Sequence, residues 1–246
     1  MNNKWILRTA KAALIGCLSI GMSTVAYPAT QDVKDEVEQS EKAGKVFTQV
    51  MDAPDKGIPK NLIDEARCVL VFPNVLKAGF VVGGRGGRGV ASCRTATGWS
   101  SPAYFNLGGG SFGLQIGAES TDFVLLVMNE KGMNSLLSDQ FTLGGDASVA
   151  AGPVGREAGA ETDAKLNAQI LSYSRSKGLF AGLELKGVVI KPDKDDMKDV
   201  YGANVTAKEV LNGNKLSAST AAVSAFPTTL TRYSASGNKA SGSNKK

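Results

Sequence analysis

The sequence predicts an α+β protein with a compact, glycine-rich core formed by a mostly antiparallel β-sheet or barrel. An N-terminal amphipathic helix and short flanking helices accompany it. Apolar residues recur at helical spacing over 31–51, and short β-type runs separated by glycine follow over 68–129. Twelve of the 29 glycines lie from Gly79 to Gly117. The backbone there must turn tightly or pack closely against other backbone.

The first predicted element is a helix from Gln31 to Met51, with Val33, Phe47 and Val50 on its apolar face and mostly acidic charges between them. A short helix with proline in its first turn follows at 59–66. Alternation and turn residues then predict the remaining elements. These are β-runs at 68–72, 79–82, 89–94, 104–107, 113–117, 122–128, 141–143 and 147–151, a hairpin at 165–190, and short helices at 130–138, 195–201 and 207–211.

The two ends of the chain differ from its body. Residues 1–26 have a basic start, an apolar run and small residues near Ala26, which predicts an export signal peptide. The segment Leu14–Cys17 also matches a lipobox, so lipidation at Cys17 is an alternative to simple cleavage. Residues 215–246 are rich in Ser, Thr, Ala, Asn and Gly and are predicted to be a disordered tail. A single domain is expected over 27–214.

The formal net charge of +5 comes from these two ends, because 27–214 holds 20 basic and 23 acidic residues. The body is therefore not a basic nucleic-acid-binding surface. Residues 67–118 nevertheless contain five basic residues and no acid. If their side chains share a face, that face attracts anions. The candidate anion-binding residues in this stretch are Lys77, Arg85, Arg88 and Arg94.

The complete absence of histidine removes the commonest devices of hydrolytic and metal catalysis. Segment 84–89 matches G-x-G-x-x-G, but a strand-like run follows it and no acid appears until Glu119, so a dinucleotide site is rejected. We interpret 84–89 as a glycine-rich turn that carries two guanidinium groups. Segment 109–113 matches G-x-S-x-G, which needs a histidine base. No cofactor or metal site is predicted.

One catalytic device does not need histidine. Ser174 and Lys177 match S-x-x-K, in which lysine acts as the base, although the accompanying motifs of that enzyme class are missing. A Ser-Lys hydrolase is therefore kept as a weak alternative.

Two cysteines remain after cleavage near Ala26, namely Cys68 and Cys93. In an oxidising compartment a disulfide between them would stabilise the protein by roughly 3 kcal/mol. Two buried thiols in neighbouring strands are an equal alternative.

Several segments resemble the SYLF domain family in the order in which they occur. They are 66–73, 77–80, 84–89, 98–103, 113–117, 121–122, 150–156, 173–182 and 201–202, and together they cover roughly 35–212. The resemblance implies a non-enzymatic lipid-binding domain. Eukaryotic members bind phosphoinositides and in some cases actin, and bacterial members are typically exported or lipoprotein-like single domains.

These observations lead to one hypothesis and one rival from another class. The hypothesis is an exported protein of the periplasm or cell envelope that binds anionic phospholipid head groups at a membrane surface. Its predicted head-group ligands are Arg85 and Arg88, with support from Lys77 and Arg94. The rival is an envelope scaffold that binds a protein partner through the glycine-rich sheet. The family's lipid contacts are attributed to basic residues and an amphipathic N-terminal helix, and the helix here is acidic.

Overall fold

The computed structural model describes residues 33–53, 57–155, 168–176, 179–182, 185–214, 218 and 220–235, with the backbone alone at 80–82, 111–118, 179–182 and 235. The predicted signal peptide, Cys17 and Lys177 lie outside these residues. The architecture is α+β, as the sequence predicts: a curled, mostly antiparallel half-barrel sheet is accompanied by an N-terminal helix and short helices.

The first helix buries its apolar face in the core of the protein. The first helix buries Val33, Val46, Phe47 and Val50 and leaves most of its charges exposed, which is the amphipathic pattern predicted. None of the described helices is long and apolar enough to cross a membrane. The helices are α1 (Val33–Met51), α2 (Lys60–Glu65), α3 (Glu130–Leu136), α4 (Lys194–Tyr201), α5 (Ala207–Leu211) and α6 (Ala225–Ala235), with a 3-10 turn at Ala221–Ser224.

Two long strands dominate the sheet, where the sequence predicts six short runs. Strand β1 has 28 residues and β3 has 25, and they pair antiparallel over most of their length. The paired strands β1 and β3 form a two-stranded ribbon. Register shifts after Phe72 and Gly79 bend the ribbon, and the pairing continues beyond each shift. The strands are β1 (Cys68–Thr95), β2 (Gly98–Trp99), β3 (Ala103–Val127), β4 (Phe141–Thr142), β5 (Val149–Ala151), β6 (Ile170–Ser176), β7 (Leu179–Gly182) and β8 (Val189–Pro192).

The remaining strands extend the ribbon on both halves of β3. Strand β6 pairs with residues 122–127 of β3 and also with β5 and β7. Strand β8 pairs with residues 105–108 of β3 and also with β4. Only the β5–β6 pair among these is parallel. The large side chains at the centre are buried together, and these are Phe47, Phe72, Tyr104, Phe105, Phe141, Tyr173 and Phe226.

The ribbon folds back on itself, so the start and end of β1 meet. The backbone N–H of Arg94 donates to the carbonyl of Arg67 at 2.7 Å. Further along, a side chain at Gly89 would overlap the ring of Phe72, and one at Gly87 would overlap Val75. These glycines therefore allow the two halves of β1 to approach each other. Segment 84–89 is strand and not the predicted turn.

The prediction of a disordered tail is wrong for residues 221–235. Val223, Phe226 and Leu230 are fully buried, and their spacing places them on one helical face. Ser40 of α1 donates its hydroxyl to the carbonyl of Val223 and accepts from the N–H of Phe226. Since α1 provides this apolar and polar docking surface, a segment of weak local propensity becomes helical.

Candidate functional site

The structure separates the four predicted head-group ligands into three environments. Lys77 and Arg85 line one surface pocket. Arg88 points into a cluster of acids between β1, α1 and α4. Arg94 packs on α2 and Trp99. The acid-free stretch of the sequence is therefore not a single basic face.

Arg88 is neutralised by carboxylates from distant parts of the chain. Its Nη2 atom lies 3.5 Å from Oε1 of Glu36 and contacts Asp196, and its Nε lies 4.0 Å from Asp193. The Glu36 side chain is only 3% exposed, whereas Arg88 is 40% exposed. Asn106 also donates to Asp193, at 2.7 Å. This cluster holds α1 and α4 against the sheet.

Burial changes the acid–base properties of this cluster. Burial raises the pKa of Glu36 to about 7, even though Arg88 lowers it. Burial also raises the pKa of Asp196, against the opposing hydrogen bond from Arg88. That same hydrogen bond raises the pKa of Arg88. One Oε atom of Glu36 is buried with no hydrogen-bond partner among the described residues.

Arg94 has a structural role at the end of α2. Its Nε and Nη2 donate to the carbonyls of Ala66 and Ile63 at 3.0 and 2.9 Å, which satisfies carbonyls that the end of a helix leaves free. The guanidinium also lies 4.5 Å from the centre of the Trp99 ring, a cation–π contact. Two of its three nitrogens are therefore engaged within the protein.

Lys77 and Arg85 face the pocket from the two halves of β1. The pocket has a volume of about 260 Å³. Within the part of the chain that the structure describes, neither residue forms an ion pair. The Nε of Arg85 is buried without a hydrogen-bond partner among those residues. The lining residues are Val75, Lys77, Arg85, Glu119, Thr121, Phe123, Ser174 and Ser176.

Glu119 is the residue of this pocket that sequence reasoning missed. It lies one position beyond the acid-free stretch, and the strand register places it directly opposite Lys77. Its Oε1 accepts a hydrogen bond from the hydroxyl of Ser176 at 2.7 Å. The antiparallel pairing of β1 with β3 is the signal that would have found it.

The pocket lies near the most exposed large apolar side chain of the described residues. Leu76, the neighbour of Lys77, is 60% exposed. Successive side chains of a strand point to opposite faces, so Leu76 and Lys77 leave the ribbon on different sides. Leu76 therefore lies on the face of the ribbon opposite to the pocket, whereas Lys77 lies on the pocket face.

The remaining predicted sites are placed as follows. Cys68 and Cys93, at the two ends of β1, have their Sγ atoms 2.01 Å apart and form a disulfide. Ser174 lies inside β6, and Lys177 is outside the described residues. The described residues contain no group of three or more His, Cys, Asp or Glu side chains that could hold a metal ion.

Comparison with known proteins identifies the family. Residues 108–233 match the family model described as "Ysc84: Las17-binding protein actin regulator", which is slightly more than half of the chain. The match ends at Tyr233 and thus includes most of α6. It does not include β1, which provides Lys77 and Arg85.

Curated relatives align over a larger part of the chain. "SH3 domain-containing protein PJ696.02" of Schizosaccharomyces pombe is 38% identical over 195 residues, which are 76% of this chain and 44% of the relative. "Protein YSC84" of Saccharomyces cerevisiae is 36% identical over 193 residues, or 76% of this chain and 41% of the relative. "SH3 domain-containing YSC84-like protein 1" of Rattus norvegicus is 32% identical over 191 residues, or 76% and 56%.

The chain therefore spans about half the length of the curated relatives it matches. The resemblance to the SYLF domain family is confirmed, and this chain belongs to the Ysc84 (SYLF) family.

Proposed function

We propose that this protein is an exported, non-enzymatic binding protein that attaches peripherally to anionic phospholipid surfaces through the Lys77–Arg85 pocket. One observation carries the proposal. Of the four predicted head-group ligands, Lys77 and Arg85 open into a pocket and have no ion-pair partner among the described residues. Arginine offers a planar set of donors that suits a phosphate group.

The expected attachment is weak. Each basic residue near an anionic membrane contributes about 1 kcal/mol. Because charges at a surface are screened over about 8 Å at physiological ionic strength, binding should weaken as salt is added.

Vesicle co-sedimentation tests the proposal. The protein should pellet with vesicles that contain phosphatidylglycerol and not with phosphatidylcholine alone. Lys77→Ala/Arg85→Ala should lose this binding. Lys42→Ala/Lys60→Ala is the matched control, because it removes two exposed cations from α1 and α2 with the same change in net charge. Equal pelleting of the Lys77→Ala/Arg85→Ala variant and the native protein would refute the assignment.

Export is the second part of the proposal. The basic start and apolar run of residues 1–26 support it. The intact mass of the mature protein distinguishes the two forms of processing. Cleavage near Ala26 gives an unmodified chain, lipidation gives a chain that begins at modified Cys17, and an uncut chain would contradict export.

A protein partner is a second candidate function. The family description names Las17 binding and actin regulation, and a groove of about 640 Å³ lies between α3, α4 and α5. Leu137, Met197 and Val205 provide its apolar lining, and its three lysines are exposed. These lysines are Lys194, Lys198 and Lys208. The lining also contains Asp139 and Asp195, so the groove has a net charge of +1, which favours an acidic partner segment.

Co-sedimentation with purified actin filaments tests this candidate. If the groove binds the filament, Lys194→Glu/Lys198→Glu should remove the protein from the pellet, whereas Lys77→Ala/Arg85→Ala should not. The Ser-Lys hydrolase remains a weaker alternative than either binding function. A serine-reactive probe that labels the native protein and not Ser174→Ala would favour it over a purely binding role.

A further inference from the structure

The Lys77–Arg85 pocket contains a carboxylate as well as its two cations. Glu119 lines the same cavity and is paired with Lys77 in the strand register. Lys77, Arg85 and Glu119 together carry a net charge of +1. Among the described residues of adjacent strands, Asp122 and Arg175 lie 4.0 Å apart and offset each other.

A net charge of +1 balances one negative charge on a ligand. A phosphodiester carries a single charge. A phosphomonoester at neutral pH carries up to two, and the second would lie close to the carboxylate of Glu119. In a half-exposed site, one more unit charge at contact distance changes the affinity by about tenfold.

The hydrogen-bonding groups of the pocket add a second requirement. An ionised carboxylate only accepts hydrogen bonds. The Oε1 of Glu119 accepts from Ser176, and no described residue donates to its other oxygen. A ligand hydroxyl placed beside the phosphate would donate to it. The hydroxyl of Thr121 can accept or donate, and that of Ser176, whose proton is donated to Glu119, can accept.

The size of the cavity limits the ligand to a small group. Its 260 Å³ are below the roughly 300–1,000 Å³ of pockets that hold drug-sized ligands. The pocket therefore has room for a polar head group and leaves the acyl chains outside.

We propose that this pocket selects a singly charged phosphodiester with an adjacent hydroxyl donor, as in a phosphoglycerol head group, and that Glu119 rejects phosphomonoester head groups. The inference rests on the proposed function, since it concerns the ligand of the same pocket. Glu119 acts as a specificity residue. It accepts a hydrogen bond from the hydroxyl of the phosphodiester head group and repels the second negative charge of a phosphomonoester.

The test uses the full mature chain and two kinds of vesicle matched in surface potential, one with phosphatidylglycerol and one with phosphatidic acid. The native protein should bind phosphatidylglycerol vesicles more tightly. Glu119→Gln should raise affinity for phosphatidic acid about tenfold and change affinity for phosphatidylglycerol less than twofold. Glu130→Gln is the matched control, because it makes the same charge change at an exposed position on α3.

A stability measurement protects the test against misfolding. Glu119→Gln should unfold in urea at nearly the same midpoint as the native protein, so that a change in its lipid preference reports on the pocket and not on loss of the fold. If Glu119→Gln raised both affinities equally, or if the native protein preferred phosphatidic acid, this inference would be overturned and the proposed function would still stand. Unchanged binding by Lys77→Ala/Arg85→Ala would instead overturn the proposed function.

Discussion

Arg88 Nη2 lies 3.5 Å from the Glu36 carboxylate and joins the second half of β1 to the N-terminal helix α1. Asp196 of α4 completes the contact. Three elements that are far apart in the sequence therefore meet at one guanidinium. Two of the acids, Glu36 and Asp196, are largely buried, so each depends on Arg88 for compensation of its charge.

Arg88→Ala should destabilise the protein. It leaves two buried carboxylates without their cation, and since Arg88 is itself 40% exposed, we expect a loss of about 2 kcal/mol in the free energy of unfolding. Urea denaturation measures it. Arg67→Ala, which removes an exposed ion pair with Glu130, should cost less than about 1 kcal/mol. Equal losses in the two variants would contradict the structural role of Arg88.

Glu36 should make stability depend on pH. Its pKa is raised from 4.5 to about 7 by burial, so between these values the folded protein holds a proton that the unfolded chain has released. Stability from this group is complete below pH 4.5 and is lost as the pH rises to about 7. Asp199 and Asp196 add negative charge nearby, and Arg88 opposes them.

The measurement compares native protein with Glu36→Gln by urea denaturation over pH 4–8. The difference in unfolding free energy should shift in favour of the variant by no more than about 3 kcal/mol as the pH rises. Glu41→Gln, which removes an exposed carboxyl group from the same helix, is the matched control. A flat curve for Glu36→Gln would show that Glu36 does not titrate in this range.

Reduction of the Cys68–Cys93 disulfide should weaken the fold. The bond joins residues 25 positions apart, at the two ends of β1. Opening a loop of this size should lower the free energy of unfolding by about 3 kcal/mol. Thermal denaturation with and without reductant measures the effect. The Cys68→Ala/Cys93→Ala variant should be about as stable as the reduced native protein, whether or not reductant is present. If reductant lowered the stability of this variant as much as that of the native protein, the effect would have another cause.

Two glycines of segment 84–89 should differ sharply in their tolerance of alanine. A methyl group at Gly89 would overlap the buried ring of Phe72, whereas nothing lies within 4 Å of a methyl group at Gly84. Gly89→Ala should therefore cost about 1–3 kcal/mol. Gly84→Ala should change the unfolding free energy by less than about 0.5 kcal/mol. Similar values for the two would mean that the halves of β1 do not pack as described.

Much of the fold could be predicted from local patterns. The apolar spacing of Val33, Phe47 and Val50 predicted α1, and β-runs separated by glycine predicted a compact, mostly antiparallel sheet or barrel. The same patterns could not show that the runs merge into β1 and β3, because glycine at 87 and 89 is equally compatible with a turn. Only the approach of Val75 and Phe72 decides in favour of strand.

The candidate site was predicted in part. The sequence by itself determined which cations stand in an acid-free stretch, namely Arg67, Lys77, Arg85, Arg88 and Arg94. Tertiary structure decided which of them remain available to a ligand. Glu36, Asp193 and Asp196 from other elements form ion pairs with Arg88, and Arg94 donates to a carbonyl of α2. Charge along a chain is a local property, but neutralisation depends on distances in space, and those are set by packing.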